Sequence, residues 1–121
     1  MIIDFDIDIY DTAVYFLIGP NEKEARRFLD DRLKDECITE SEYDEIIDCI
    51  EDRDSCAGHV FSLDSNRYLM FVREDHDFNT IAHELTHVTL FILNDREVEF
   101  GEKGESAAYM MGWMMGMIMK K

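Results

Sequence analysis

With 121 residues, 46% of them apolar and 33% charged, the chain is long enough for one globular domain with one core, and its composition excludes a disordered protein. Its 28 Asp and Glu residues outnumber its 12 Lys and Arg residues, which gives a formal net charge of −16. Because this charge repels phosphate groups, we expect neither direct nucleic-acid binding nor attachment to an anionic membrane, and we expect basic partners.

The first half of the chain predicts two strands followed by two helices. The segment "IIDFDIDIY" alternates apolar residues with Asp, which is the pattern of a strand with one solvent-exposed face. The segment "AVYFLIG", before Pro20, is apolar on both faces and predicts a central strand. Asn21 can cap a helix over "EKEARRFLDDRLK", and Ser41 begins a second helix. We expect the acidic residues of both helices on a solvated face, with an acidic docking surface as the alternative.

The second half predicts a hairpin and a further helix. The segments "CAGHVFSLD" and "RYLMFVR" are joined around Ser65 and Asn66, which is typical of a β-hairpin. Either Asp77 or Asn79 begins the helix that follows. A short extended segment, "EVEF", separates this helix from the last one.

The last helix is predicted to begin between Lys103 and Glu105 and to reach the C-terminus. The element order ββααββαα predicts an α+β fold, in which one small, mostly antiparallel sheet carries the helices packed on it. No repeat or linker divides the chain, so we expect a single domain over residues 1–121.

The third predicted helix contains "TIAHELTHVTLF", with His83 and His87 four residues apart. Residues at this spacing point the same way from a helix, so both imidazoles can bind one tetrahedral zinc ion. Glu84 is offset by one position, where it can take a proton from a metal-bound water. The segment therefore predicts a catalytic Zn²⁺ site with Glu84 as the general base.

The surroundings of the two histidines favour this interpretation over ordinary core histidines. One stripe of the helix is apolar at Ile81, Leu85, Val88 and Ile92. The other side carries the apolar residues Leu90, Phe91 and Leu93 beside the histidines, so the helix is predicted to be buried nearly all round. Histidines in such a place need polar partners, and a metal ion is one.

A catalytic zinc ion commonly has three protein ligands and one open position for water. The downstream acidic candidates for the third ligand are Asp95, Glu97, Glu99, Glu102 and Glu105. Glu105 is the best of them, because it precedes a stripe of small residues that would let the last helix pack closely on the histidine helix. This stripe consists of Ala108, Gly112 and Gly116.

The motif "HELTH", with Glu105 18 residues after His87, is similar to the gluzincin branch of the zincin superfamily. Residues 78–114 resemble more closely the small zinc peptidases that bacteriophages and prophages encode. The resemblance implies a zincin-like active-site helix and a C-terminal helix, with His83, His87 and Glu105 as zinc ligands and Glu84 as the base. Longer gluzincins often carry an Asp after the third ligand to orient a histidine. Here Tyr109 stands four residues after Glu105 and no Asp follows, so another group must orient the histidines.

The predicted activity is therefore zinc-dependent hydrolysis of a peptide bond in a protein or peptide substrate. This reaction also requires a hydrogen-bond donor for the developing oxyanion. The sequence does not rank the candidate donors, which are Tyr109, His59, Tyr68 and His76. In zincins the strand before the active-site helix often pairs with extended substrate, which would give one strand of the predicted hairpin that role.

The alternative is an acidic protein that binds and inhibits a host factor without catalysis, with a structural or vestigial zinc site. Its support is the net charge of −16 and the short chain, which leaves little room for a deep substrate cleft. A role in a toxin–antitoxin pair or in repressor processing would require a partner gene nearby. The six methionines between Met110 and Met119 are expected to fill the core, and an exposed share of them is a candidate interface. The sequence leaves the oligomeric state open.

The expected location is the cytoplasm, and the host bacterial cytoplasm if a phage encodes the protein. Cys37, Cys49 and Cys56 are odd in number and lack CxxC spacing, which is typical of reduced thiols. The N-terminal segment has neither the basic region nor the apolar core of a signal peptide. The longest uncharged run, residues 106–119, is too short to span a bilayer.

Overall fold

A computed structural model describes residues 1–54, 57–98 and 100–120, and the side chains of all of these except residues 100–103. The elements are β1 (Ile2–Ile7), a 3₁₀ turn (Asp8–Tyr10), β2 (Thr12–Ile18), α1 (Glu22–Lys34), α2 (Glu40–Glu51), β3 (Gly58–Leu63), β4 (Arg67–Val72), α3 (Phe78–Asp95) and α4 (Phe100–Met119). This order confirms the predicted succession of strands and helices.

The four strands form one sheet in the order β1-β2-β4-β3. Both hairpins, β1–β2 and β3–β4, are antiparallel, and β2 pairs with β4 in parallel. The predicted α+β class with a mostly antiparallel sheet is therefore confirmed. β2 is central, as its two apolar faces predicted. The hairpin turn at Ser65 and Asn66 is also confirmed, and both residues have the left-handed φ angles that such turns require.

Helices cover both faces of the sheet, so the molecule has two separate cores. On one face, α1 and α2 pack on the sheet around Leu17, Leu29 and Ile46. On the other face, α3 and α4 pack around Phe16 and Leu85. Neighbouring residues of β2 therefore point into different cores, which is why that strand is apolar throughout.

Local capping interactions fix where the helices begin. Asn21 and Glu24 form a capping box at the start of α1, as predicted. A second capping box, between Thr39 and Glu42, begins α2 at Glu40, so the predicted start at Ser41 is wrong. Asp77 caps α3 by accepting a hydrogen bond from the Thr80 backbone N–H at 2.8 Å. Similarly, α4 begins at Phe100, before the predicted start at residues 103–105.

The prediction that α3 is buried nearly all round is wrong. Its stripe at Ile81, Leu85, Val88 and Ile92 is buried as predicted, because it faces the sheet. The opposite side is exposed, and it carries His83, His87, Leu90 and Phe91. Exposed apolar residues are common at protein surfaces, so the apolar residues around the histidines did not require burial of the helix on that side.

The packing surface of α4 also differs from the prediction. Met110, Met114 and Ile118 are buried against α3 and the sheet, which confirms that methionines fill the core. The Gly/Ala stripe does not pack on α3, because a Cβ atom added at Gly112 or Gly116 would meet nothing within 4 Å.

Two features bear on the expected location of the protein. None of the described helices is both long and apolar enough to cross a membrane. Cys37 is a half-buried free thiol, Cys49 is half-buried, and Cys56 lies outside the described residues.

Candidate metal centre

The two histidines of the motif converge on one point outside α3. Their Nε2 atoms are 3.1 Å apart, and their rings meet edge to face. Two nitrogens bound to one tetrahedral zinc ion at about 2.0–2.1 Å would be separated by about 3.4 Å. Two such nitrogens so close together need a proton or a cation between them, because each neutral acceptor carries a lone pair. The pair therefore fits two of the ligand positions of zinc.

Glu84 lies beside this pair with its side chain buried between α3 and β3. The residue is 7% exposed, and its Oε1 atom is 3.9 Å from His83 Nε2. In the described part of the chain the Glu84 carboxylate makes no hydrogen bond, and no fully buried side-chain oxygen lacks a partner. The carboxylate therefore reaches the surface of the cleft, where a water molecule can contact it.

Gly58 of β3 is the residue that makes room for Glu84. A Cβ atom at this position would lie 2.9 Å from the Phe71 carbonyl oxygen and 3.1 Å from Glu84 Cγ. Only glycine fits without a shift of the strand or of the glutamate. A glycine inside a strand pattern indicates a close approach of this kind, but sequence reasoning did not assign it to the site.

The cleft lies between α3 and β3, which is an edge strand of the described sheet. Two adjoining depressions share Gly58, His83 and Glu84. One depression continues along Asp77 and Thr80, and the other reaches Phe91. The unpaired side of an edge strand can hydrogen-bond an extended peptide, so the surface beside Glu84 is suited to a polypeptide.

Asp77 gives the first depression a negative charge. Hydrogen bonds from the Thr80 backbone N–H and the Thr80 hydroxyl hold the pKa of its carboxyl below the usual range. The exposed carboxylate is therefore ionised at neutral pH. A basic side chain near the histidines would find a favourable charge there.

The structure does not bring Glu105 or Tyr109 to the histidine pair. Both are exposed residues of α4, and this helix packs over β1, where Trp113 contacts Phe5 edge to face at 5.5 Å. The pair lies beside β3, at the opposite edge of the sheet. Within residues 1–54, 57–98 and 100–120, no three His, Cys, Asp or Glu side chains converge as a metal site. The third protein ligand stays a prediction.

Of the remaining oxyanion candidates, only His59 lies at the cleft among the described residues. The His59 ring stacks edge to face on Phe61, whose side chain belongs to the core under α1 and α2. Tyr68 is buried and donates a hydrogen bond to Asp95 at the far end of α3. The Nδ1 atom of His76 is 2.7 Å from the Arg73 carbonyl oxygen. Tyr68 and His76 line neither depression of the cleft, whereas His59 lines the one that reaches Phe91.

The other acidic candidates for the third ligand are distributed as follows. Asp95 accepts the Tyr68 hydrogen bond, and Glu97 is exposed with a left-handed φ of 55°. Glu99 lies outside the described residues, and so does the side chain of Glu102.

In comparisons with known proteins, no family model matches the chain, and neither does any curated protein or solved structure. The resemblance of the motif to gluzincins therefore stays a prediction. Any functional assignment has to come from the geometry of the cleft itself.

Proposed function

We propose that this protein is a zinc-dependent peptidase, with His83 and His87 as zinc ligands and Glu84 as the general base. Two observations together support the proposal most directly. The Nε2 atoms of His83 and His87 are 3.1 Å apart, and the buried residue Glu84 lines the same cleft. A phage origin, suggested by the resemblance of residues 78–114, is part of the same proposal.

Bound zinc would polarise the scissile carbonyl and lower the pKa of a water molecule. Glu84 would accept the proton of that water and pass it to the leaving amine. The side chain is suited to this role because it is largely buried and leaves no room for a Cβ atom at Gly58 of β3. A general base gains rate from such fixed placement.

The surroundings of the cleft support a basic, extended peptide as the substrate. β3 offers the backbone groups of an edge strand next to Glu84, and Asp77 places a carboxylate at one end of the cleft. The net charge of −16 attracts cationic chains over longer distances. Glu105 as the third zinc ligand is retained as a separate part of the proposal. It requires α4 to approach the pair more closely than it does in the described arrangement.

Zinc content of the protein purified without added metal tests the site. We expect about one zinc ion per wild-type chain and its loss in His83→Ala. His59→Ala is the matched control, because it removes a histidine whose ring stacks on Phe61. Wild-type protein without zinc would reject the site. Loss of zinc in His83→Ala but not in Glu105→Ala would keep the pair and reject Glu105 as the third ligand.

Hydrolysis by the zinc-loaded protein tests the role of Glu84. We expect Glu84→Gln to retain zinc. It should hydrolyse a library of basic peptides at least about 100-fold more slowly than the wild-type protein, because Gln cannot accept the proton. Wild-type protein that carries zinc but cleaves no peptide would separate the metal site from the proposed reaction.

A second candidate is a non-enzymatic acidic inhibitor of a host protein, and the α1–α2 layer favours it. The outer surfaces of α1 and α2 are exposed and rich in Asp and Glu, and they lie on the face of the sheet opposite the histidine pair. Such a surface can compete for a basic partner without using the cleft. If Glu84→Gln retains the full biological effect of the protein, this candidate replaces the peptidase.

A further inference from the structure

The outward side of α4 carries a second exposed surface, which does not depend on the metal site. We define the α4 outer face by the residues Glu105, Tyr109, Gly112, Trp113, Gly116 and Lys120. Tyr109 is 75% exposed and Trp113 is 49% exposed, although aromatic side chains are usually well covered. Open space surrounds Gly112 and Gly116, where an added Cβ would contact nothing within 4 Å.

We propose that the α4 outer face binds the same face of a second copy of this chain, with the two helices antiparallel and crossing between residues 112 and 113. We infer a second copy as the partner because the order of large, small and charged residues along the helix is complementary to itself.

The outer face consists of two ridges with a spacing of four residues. One ridge carries Glu105, Tyr109 and Trp113, and the other carries Gly112, Gly116 and Lys120. In an antiparallel pair that crosses between residues 112 and 113, each ridge faces the other ridge of the second copy. Two-fold symmetry repeats every contact.

This register pairs each large side chain with a small one. Trp113 of one copy lies opposite Gly112 of the other, and Tyr109 lies opposite Gly116. The glycines provide the open space that the rings need, and their small size lets the helices approach closely. The aromatic rings would lose solvent exposure in both copies, which favours association.

The same register pairs opposite charges at both ends of the contact. Glu105 of one copy lies opposite Lys120 of the other, about 22 Å along the helix from the equivalent pair. Between them, residues 106–119 carry no charge in a chain whose net charge is −16. The centre of a protein interface is usually depleted of charge. Two acidic copies can therefore approach here with less repulsion than at a surface that carries the excess carboxylates.

A charge exchange at the two ends tests the register. Glu105→Lys and Lys120→Glu each place like charges opposite each other twice, so we expect each to weaken association about tenfold, as measured by sedimentation equilibrium at low salt. The double variant Glu105→Lys/Lys120→Glu restores opposite charges, and we expect its dissociation constant to return to within about threefold of the wild-type value.

The single variants also separate this register from the effect of net charge. Glu105→Lys makes the chain less acidic, and Lys120→Glu makes it more acidic. If net charge alone governed association, the first variant would strengthen it. The readout is association rather than activity, and measuring the same series with a metal chelator present excludes an effect of zinc bound by Glu105.

Trp113 provides an independent measurement, because it is the one tryptophan of the chain. We expect its emission to move to shorter wavelength as the wild-type concentration rises from about 1 µM to about 500 µM, as the ring leaves water. Gly112→Leu fills the open position without a clash in the single chain, and it should abolish this shift. Gly104→Leu is the matched control, since an added Cβ also meets nothing there and the position precedes Glu105, beyond the last paired residue.

Two outcomes would overturn the proposal. One is a wild-type chain that stays monomeric, with unchanged Trp113 emission, over the whole concentration range. The other is association that the double charge exchange does not restore after both single variants have weakened it.

Discussion

The two faces of the sheet differ in how their polar groups are used. On the α1–α2 face, charged and polar side chains pair with each other or with helix ends. Both helices begin at capping boxes, Arg26 binds Glu22 and Glu51, and Arg32 binds Asp4 at 2.7 Å. On the α3–α4 face, two histidine nitrogens approach each other and a buried carboxylate opens onto a cleft.

This difference separates the residues that stabilise the fold from those available for chemistry. The helix ends of the α1–α2 layer are satisfied by capping boxes and by Arg73, which follows β4, so changes at these positions should alter stability without altering the cleft. The α3–α4 layer carries the proposed metal site and the proposed interface on α4. Three substitutions test this separation.

The largest effect is expected at Arg73, a buried residue that directly follows β4 and forms hydrogen bonds with the C-terminal end of α2. Its guanidinium donates to the carbonyl oxygens of Cys49 at 2.8 Å, Ile50 at 3.1 Å and Asp52 at 2.6 Å. Arg73→Met would leave these helix-end carbonyls without their donor, so we expect the free energy of unfolding to fall by about 2–4 kcal/mol. Urea denaturation measures the loss.

For the same variant, zinc content per folded chain should remain at the wild-type value. Arg53→Met is the control, since it removes an exposed arginine that should contribute little. A fall in zinc content in Arg73→Met at temperatures where the chain is folded would contradict the separation of the two layers.

A smaller effect is expected at Gly58, where the fold and the cleft meet. Gly58→Ala places a methyl group against the Phe71 carbonyl and Glu84 Cγ, so we expect a loss of about 1–3 kcal/mol in the free energy of unfolding. Glu84→Ala should recover part of this loss in the double variant, because Cγ is removed. Strict additivity would show that Gly58 does not position Glu84. Gly104→Ala, with nothing near its Cβ, should be neutral or slightly stabilising.

The smallest effect at neutral pH is expected for Tyr68, which links β4 to the end of α3. Burial, and secondarily the hydrogen bond to Asp95, raise the pKa of its hydroxyl. A raised pKa means that the hydroxyl contributes its full stability below its ordinary pKa of about 10 and loses it as the pH rises further.

Tyr68→Phe should therefore lower the free energy of unfolding by about 1 kcal/mol at pH 7 and show a shallower decline above pH 10. Urea denaturation at several pH values measures both effects. Parallel curves for the two proteins in the alkaline range would refute the link between burial and titration.

The sequence predicted the features that depend on neighbouring residues. The cap at Asn21, the helix start at Asp77 or Asn79 and the hairpin turn at Ser65 and Asn66 are local features, and a few residues predict each of them. The central position of β2 was predicted from its apolar residues on both faces, because a strand with this pattern is covered on both sides. The approach of His83 to His87 follows from helical spacing alone.

The features that the sequence could not predict depend on contacts between distant segments. Residues 106–119 lack charged residues on every side of the helix, so periodicity could not show which side of α4 is buried. The methionine side packs inward, and the small residues remain open. Likewise, Gly58 of β3 lies close to Glu84 of α3, two segments that are distant in sequence. A local sequence pattern can indicate that a strand glycine has a close neighbour, but it cannot predict which residue that neighbour is.

The parallel pairing of β2 with β4 also determines how the chain must fold. Each hairpin joins segments that are close in sequence. The pairing of Ala13 with Arg67 and of Ile18 with Val72 instead closes a long loop that contains the whole α1–α2 segment. Closing this long loop costs entropy before any contact across the centre of the sheet repays it. The cleft lies between α3 and β3, and β3 is connected to β2 and β1 only through β4, so the completed sheet around the cleft requires this parallel pairing. A fragment that ends before β3 should acquire neither the sheet nor the cleft.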